Sequence, residues 1–193
     1  MTPGFTSVVR DVELAFETSV GLFSPARADP GTLAMLSHVD PKPEDKVLDL
    51  GCGYGLVGIW CARRIGAERV VMSDRDPAAV AAAQANAARN GVAGIRAYVS
   101  DAFRGLSDKD FTLILSNPPY HEDFSVAKEF IEKGFNRLAI GGRMMLVTKR
   151  RDWYRNTLVT VFGGVRIHET DGYFVFVAEK RCADYAGARR KAR

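Results

Sequence analysis

From Lys46 onward the chain alternates short apolar runs with helix-length segments, and that alternation limits the folds open to it. KVLDL, RVVMS, IRAYVS, FTLILS and RMMLVT are near-continuous apolar runs. Between them lie GLVGIWCARRI, an Ala-rich stretch over 77–90, and residues 125–140, all with helical spacing. Runs that are apolar on both faces belong to strands buried on both faces, so a parallel sheet covered by helices on either side is expected. Asp76 is expected to cap the Ala-rich helix, with Pro77 in its first turn and Gly91 as its stop. Gly141 and Gly142 are expected to close the helix over 125–140, and Asp152 to cap another through about Phe162. VRIHET and YFVFVAEK then follow, joined by Asp171-Gly172, a hairpin signal that adds one antiparallel strand at or near an edge. The expected architecture is α/β: a doubly wound, mostly parallel seven-stranded sheet with one antiparallel strand.

Ahead of the alternation the signal is weaker. Residues 1–20 read as a strand or a helix, GLFSPARADPG as a loop, and TLAMLSHV as a short helix ended by Asp40 and the P-K-P turn. The chain divides into an N-terminal segment over 1–45, an α/β domain over 46–180, and a loose basic tail over 181–193. With 193 residues and 47% hydrophobic content, one domain with a sizeable core is expected and a disordered chain is excluded. A net charge of +4 suits a polyanionic partner without demanding one. Cysteines stand at 52, 61 and 182, an odd number without a C-x-x-C pair, which argues against a zinc site or a disulfide framework. No metal is expected. No apolar run reaches membrane-spanning length and the N-terminus lacks a signal-peptide core, so the chain reads as soluble and cytoplasmic, with no membrane partner.

In doubly wound sheets, ligands bind beyond the carboxyl ends of the strands. The first four apolar runs end in Asp49, Asp74, Asp101 and Asn117. After Asp49 comes Gly51-Cys52-Gly53-Tyr54-Gly55, whose glycines permit a tight turn and close backbone approach to a ligand. The alternative is an ordinary strand–helix turn. The spacing is not the G-x-G-x-x-G of dinucleotide sites. Asp49, two residues before the first glycine, would repel a pyrophosphate and attract an ammonium group. Asp74 is placed to accept from both hydroxyls of a ribose, or else to cap a turn with Asp76. Asp101 is placed to accept from an adenine amino group, or else is a solvated loop acid. A ligand with a ribose, an adenine and a cationic amino-acid end is S-adenosyl-L-methionine.

Residues 113–124, LILSNPPYHEDF, end an apolar run in Asn and two prolines. Asn117 and Pro118 both precede proline and are held extended. The Asn117 side-chain oxygen and the Pro118 carbonyl can then accept from one planar amino group, with Tyr120 as a stacking face. The alternative is a rigid turn ending an edge strand. An exocyclic amine attacking a sulfonium methyl needs orientation more than a strong base, and orientation is worth roughly 7–11 kcal/mol.

At these residues the chain resembles the class I S-adenosylmethionine-dependent methyltransferases. VLDLGCGYG is similar to their first motif, and SNPPY to the fourth motif of the amine-methylating branches. GLFSPARADPGT resembles the segment ahead of the cofactor motif in the "small" methyltransferase family, which includes the ribosomal RNA guanine-N2 methyltransferases. The resemblance spans about residues 20–180 and implies a Rossmann-like methyltransferase fold, with the segment over 1–45 covering the cofactor site. It implies that Gly51, Cys52 and Gly53 line the cofactor, that Asp49 lies near its amino group, and that Asp74 and Arg75 hold the ribose end. Asp101 and Ala102 would hold the adenine, and Phe23, Gly31 and Thr32 would lie over the methionine end. Asn117, Pro118, Pro119 and Tyr120 would hold the target amine, with His121 and Phe23 at the substrate rim. His38 and His168 are read as structural. Lys149, Arg150, Arg151 and Arg155 follow the fifth strand, and with the tail Arg189, Arg190, Lys191 and Arg193 they can bind RNA phosphates or form a solvated face. The activity implied is N-methylation of guanine N2 in RNA, with ribosomal RNA or a ribosomal subunit as partner. Protein glutamine N5 and a small-molecule amine are the alternatives. The ribosomal members carry a second, degenerate domain, for which a chain of 193 residues has no room.

Overall fold

The computed structural model describes residues 4–19, 21–119 and 124–187. An antiparallel hairpin of β1 (Gly4–Val9) and β2 (Val12–Glu17) opens the chain, and α1 (Pro30–Ser37) follows. The alternating part runs β3 (Val47–Leu50), α2 (Leu56–Ile65), β4 (Val70–Asp74), α3 (Pro77–Arg89), β5 (Arg96–Val99) and β6 (Phe111–Ser116). It continues through α4 (Ser125–Arg137), β7 (Leu138–Thr148), α5 (Arg151–Phe162), β8 (Arg166–Thr170) and β9 (Tyr173–Glu179).

The main sheet has seven strands in the order β5-β4-β3-β6-β7-β9-β8. From β5 to β7 the neighbours are parallel, and β9 runs antiparallel to both β7 and β8. This is the expected mostly parallel, doubly wound sheet. Strand residues alternate between its faces. Val47, Val70, Met72, Leu113 and Leu115 enter the core shared with α1, α2 and α3; Leu48, Leu50, Val71 and Ile114 enter the one shared with α4 and α5. Burial of every β3 side chain follows from helices on both faces. At the closing hairpin, Asp171 and Gly172 have φ of 51° and 76°, the doubly left-handed turn that matches strand twist.

The N-terminal hairpin lies outside the main sheet and is held by side chains from α3. Asn86 accepts from Glu17 N at 2.8 Å and donates to Glu17 O at 3.0 Å; Asn90 accepts from Ala15 N at 3.0 Å and donates to Ala15 O at 2.8 Å. Two amides one helical turn apart thus replace a neighbouring strand along β2. Trp60 adds a bond from Nε1 to Val9 O at 3.1 Å.

Two boundaries differ from expectation. The helix expected over 125–140 ends at Arg137, and β7 starts at Leu138, well before Arg143. The sheet takes this backbone: Lys180 Nζ donates to Leu138 O at 2.7 Å, Gly141 N to Lys180 O at 2.7 Å, and Lys180 N to Gly142 O at 2.9 Å. Helix α5 has Arg150, not Asp152, at its N-cap, and Asp152 falls in the first turn. Among the described residues no helix is long and apolar enough to cross a membrane.

Because Asn86 is fully buried and also donates to Tyr54 O, Asn86→Ala strands backbone groups of both β2 and the glycine loop. It is expected to lower unfolding free energy by about 1–3 kcal/mol in urea titration. The exposed neighbour Gln84→Ala should change it by less than about 0.5 kcal/mol.

Candidate active site

The turn after β3 is built on left-handed glycines: Gly51, Gly53 and Gly55 have φ of 74°, 54° and 95°. Gly51 N and Cys52 N both donate to Ser73 O, at 2.8 and 3.0 Å, which ties the loop to β4. Gly53 N donates to Asp74 Oδ2 at 2.9 Å, and Asp76 N to Asp74 Oδ1 at 3.0 Å. Asp74 therefore caps the turn and still keeps a second lone pair on each oxygen. Gly55 sits at the N-cap of α2, where a Cβ would stand 3.1 Å from that of Ala83.

Strand alternation turns Asp49 toward α2, where Gly58 N donates to its Oδ2 at 2.8 Å. A Cβ at Gly58 would meet Met72 Cγ at 2.6 Å and Asp49 Oδ2 at 3.2 Å, so glycine lets the helix press this close. Asp49 is 2% exposed. Burial pushes its carboxyl up to about 7, against the Gly58 bond, and the Asp74 charge adds to the rise. Burial likewise holds the Cys52 thiol well above its ordinary range, so it stays neutral.

A cavity of about 270 Å³ opens where β3, β4, β5 and β6 end. Asp49, Asp74, Asp101 and Asn117 all line it, so the four strand tips do share one crevice. Gly51, Cys52, Gly53, Arg75 and Ala102 line it from the loops; Phe23 and Thr32 come from the N-terminal segment, and Pro118 and Pro119 from beyond β6. Asp101 is exposed and pairs with Arg104 at 3.3 Å. Ala102 is buried at a φ of 54°, a left-handed turn held by Ser100 Oγ, which donates to Ala102 O and Arg104 O at 3.1 and 2.7 Å. Tyr120, His121, Arg189, Arg190, Lys191 and Arg193 lie outside the described residues.

Other expected residues stand apart from the cavity. Gly31 packs α1 against β9, since a Cβ there would lie 2.7 Å from Tyr173 Cε1. Lys149 and Arg150 are exposed and do not line the cavity. Ser116 pairs with Leu146 in parallel strands, so Lys149 and Arg150, which follow the end of β7, leave the sheet at the same carboxyl edge as Asn117-Pro118-Pro119. Lys149 Nζ sits 4.9 Å from the Tyr173 ring centroid, and Arg150 Cζ 5.0 Å from that of Phe124, which stacks on Trp153 at 4.3 Å. Arg151 and Arg155 are exposed on α5. His38 and His168 stack on each other at 4.4 Å.

Sequence reading missed several residues of the cavity. Val126, Glu129 and Phe130 line it from one face of α4, at spacings of three and four that a helical reading of VAKEF contains. Asp29 also lines it, accepting from Thr32 N at 2.8 Å as the N-cap of α1. The Asp-Pro pair was its available signal, because Pro30 opens the helix and the residue before it is the cap. Asn117 Nδ2 donates to Asp29 Oδ1 at 2.8 Å and to Thr32 Oγ1 at 3.0 Å.

A doubly wound sheet in this strand order, with an acid-tipped crevice at its switch point, is the Rossmann-like methyltransferase fold. The chain belongs to the methyltransferase small domain family, whose model matches residues 13–177. It is 32% identical over 175 residues to ribosomal RNA small subunit methyltransferase C of Pseudomonas paraeruginosa, covering 88% of this chain and 52% of that protein. It is 34% identical over 158 residues to the Haemophilus influenzae protein of the same name, covering 80% and 47%. Among solved structures it is similar to the T. thermophilus 16S rRNA N2 methyltransferase RsmC in complex with AdoMet and guanosine. That match has a TM-score of 0.83 and 31% identity, over 92% of this chain and 50% of the other. The chain thus spans about half the length of the curated relatives it matches.

The Asp49 carboxyl yields a prediction that needs no ligand. Its folded value, about 7, lies above the ordinary 3.8, so the folded state holds the proton longer than the unfolded chain. Stability is therefore lost as pH rises from about 4 to 7, and the whole loss is present above 7. Asp49→Asn removes the charge and keeps an acceptor for Gly58. It should raise the unfolding free energy of the ligand-free protein by about 2–4 kcal/mol at pH 8 and much less at pH 4, in urea titrations at both values.

Proposed function

We propose that this chain is an S-adenosyl-L-methionine-dependent N-methyltransferase acting on the N2 amine of guanine in RNA, with ribosomal RNA or a ribosomal subunit as its substrate. The observation that carries the reading is the oriented Asn117 amide at the mouth of a cavity where the carboxyls of Asp49, Asp74 and Asp101 stand at three neighbouring strand ends. Its nitrogen donates to Asp29 and Thr32, which leaves the oxygen to accept from an N–H of the amine to be methylated.

The residues fit the cofactor on their chemistry. Asp49 is a buried carboxyl with a backbone N–H partner and, among the described residues, no cationic one, and an ammonium group would supply the missing charge. Asp74 keeps free lone pairs for the two ribose hydroxyls, with Arg75 beside it. Asp101 and the Ala102 turn border the adenine end, and the Phe130 ring forms an apolar wall opposite Gly51. Backbone of Gly51, Cys52 and Gly53 lies along the amino-acid end, and Thr32 adjoins it. When bound, S-adenosylmethionine supplies a methyl group on a positively charged sulfur that leaves readily.

The chain's own part is orientation. Asn117 Oδ1 and the Pro118 carbonyl accept the two N–H bonds of one planar amine and turn its nitrogen lone pair into the cavity. Pro119 stiffens that lip, and Tyr120 supplies a stacking plane. Phe23, half exposed beside the cavity, and His121 belong to the substrate side. Lys149 and Arg150, at the same sheet edge as the lip, contact phosphates of the strand that carries the base. The base enters unpaired or flipped. In this reading residues 1–45 cover the site, 46–180 form the transferase domain, and 181–193 add basic charge. The relatives named as ribosomal RNA methyltransferases, and a related structure holding AdoMet and guanosine, support both halves of the assignment.

Transfer of labelled methyl from the cofactor should be measured on total RNA, protein extract and a metabolite pool. Label is expected in RNA, on guanine N2; label confined to the other two pools rejects the RNA substrate. With RNA as acceptor, Asn117→Ala should lower kcat at least about 100-fold and leave cofactor affinity by calorimetry little changed. Turnover near wild type removes Asn117 from the mechanism.

A further inference from the structure

We propose that Asp29 is a positioning residue for methyl transfer: its carboxylate decides which end of the Asn117 amide faces the methyl acceptor. This rests on the reading of Asn117 given above. The nitrogen and oxygen of an asparagine amide are nearly the same size, so rotation by half a turn costs little unless neighbours distinguish them. Flipped, Asn117 would offer donors to an incoming amine, and the lip would repel its substrate.

Asp29 prevents the flip. A carboxylate only accepts, and Asp29 Oδ1 stands 2.8 Å from Asn117 Nδ2; an amide oxygen in that place would face a negative charge. Thr32 acts in the same sense. Its hydroxyl donates to Asp29 Oδ1 at 3.2 Å, so a lone pair of Oγ1 is what meets Asn117 Nδ2 at 3.0 Å. Asp29 is 9% exposed, so water screens its charge little.

The carboxylate is itself fixed. It caps α1 through Thr32 N at 2.8 Å, and Pro30 pre-sets the first turn. Gly31 lets that turn lie against Tyr173 of β9; an added Cβ would come within 3.1 Å of Asp29 Oδ1. A negative charge at the nitrogen end of the amide also makes its oxygen a stronger acceptor. The sequence Asp29, Asn117, substrate N–H is thus a polarised chain. With the Pro118 carbonyl beside it, the lip presents acceptors only and selects a group that donates.

The test must separate this role from helix capping. Serine caps as well as aspartate but has neither the charge nor the reach to hold Asn117. Asp29→Ser is expected to keep thermal stability and cofactor affinity, to leave KM for RNA within about twofold, and to lower kcat roughly 10–100-fold, as loss of a supporting partner commonly does. Asp29→Asn, which adds a competing donor, should lower kcat comparably. The Asn117 side-chain NH2 signals in NMR should lose exchange protection by at least about tenfold in Asp29→Ser. Wild-type kcat in Asp29→Ser overturns the proposal. A wild-type protein that methylates nothing overturns the reading of the site instead; in that case the exchange measurement decides, with unchanged Asn117 protection rejecting the role of Asp29 and lost protection supporting it.

Discussion

The site exists because the chain changes direction at β3. That strand is paired with β4 on one side and with β6 on the other, and Asp49 lies opposite Met72 and Leu115. The helix that leaves β3 goes to one face of the sheet, and the helix after β6 goes to the other. Between two helices that part in this way the sheet edge cannot be covered, so a crevice must open at the carboxyl ends. Every strand tip that points there is exposed to a ligand by topology alone. The glycine loop comes from one side of the crevice and Phe130 from the other.

Within that crevice the conflict between stability and binding falls on Asp49. Packing of α2 against β3 and β4 through Gly58 removes water from a carboxyl and offers it one backbone N–H. Two apolar clusters, one on each face of the sheet, hold the fold against this local loss. A ligand with a positive charge beside Asp49 recovers in binding what the empty protein lacks in stability. Asp74 avoids the same conflict. It is half-buried and already accepts two backbone N–H groups, so its ordering is independent of any ligand.

The alternating core was legible because its signals are local. Apolar runs, glycine stops and Asp171-Gly172 each act over a few residues, and the strand tips followed from the strands. What stayed hidden rests on distant partners. Residues 4–17 carry no decisive period, since β2 is satisfied by Asn86 and Asn90, roughly seventy positions away. The end of α4 was overrun because Lys180, just past the last strand, claims Leu138. Asp29 was passed over for the same reason: the Asp-Pro pair announces a helix cap, but nothing near it in sequence announces Asn117, 88 positions later.

The lip proposed to hold the methyl acceptor is consequently not a property of the sheet alone. Its peptide geometry comes from Asn117-Pro118-Pro119 at the end of β6, but the orientation of its one side-chain acceptor comes from the N-terminal segment. That segment is anchored at one end by α3 amides on β2 and at the other by α1 packing on β7 and β9. Phe23 and Thr32, which line the cavity, lie between or within those anchors. A cofactor in the crevice would therefore lie against the same residues that order the amide, with Thr32 touching both the cavity and Asn117. In the proposed reading, cofactor and acceptor sites share this one support. On that reading the N-terminal segment has a physical reason to belong to the catalytic unit, where it would otherwise be only a cover over it.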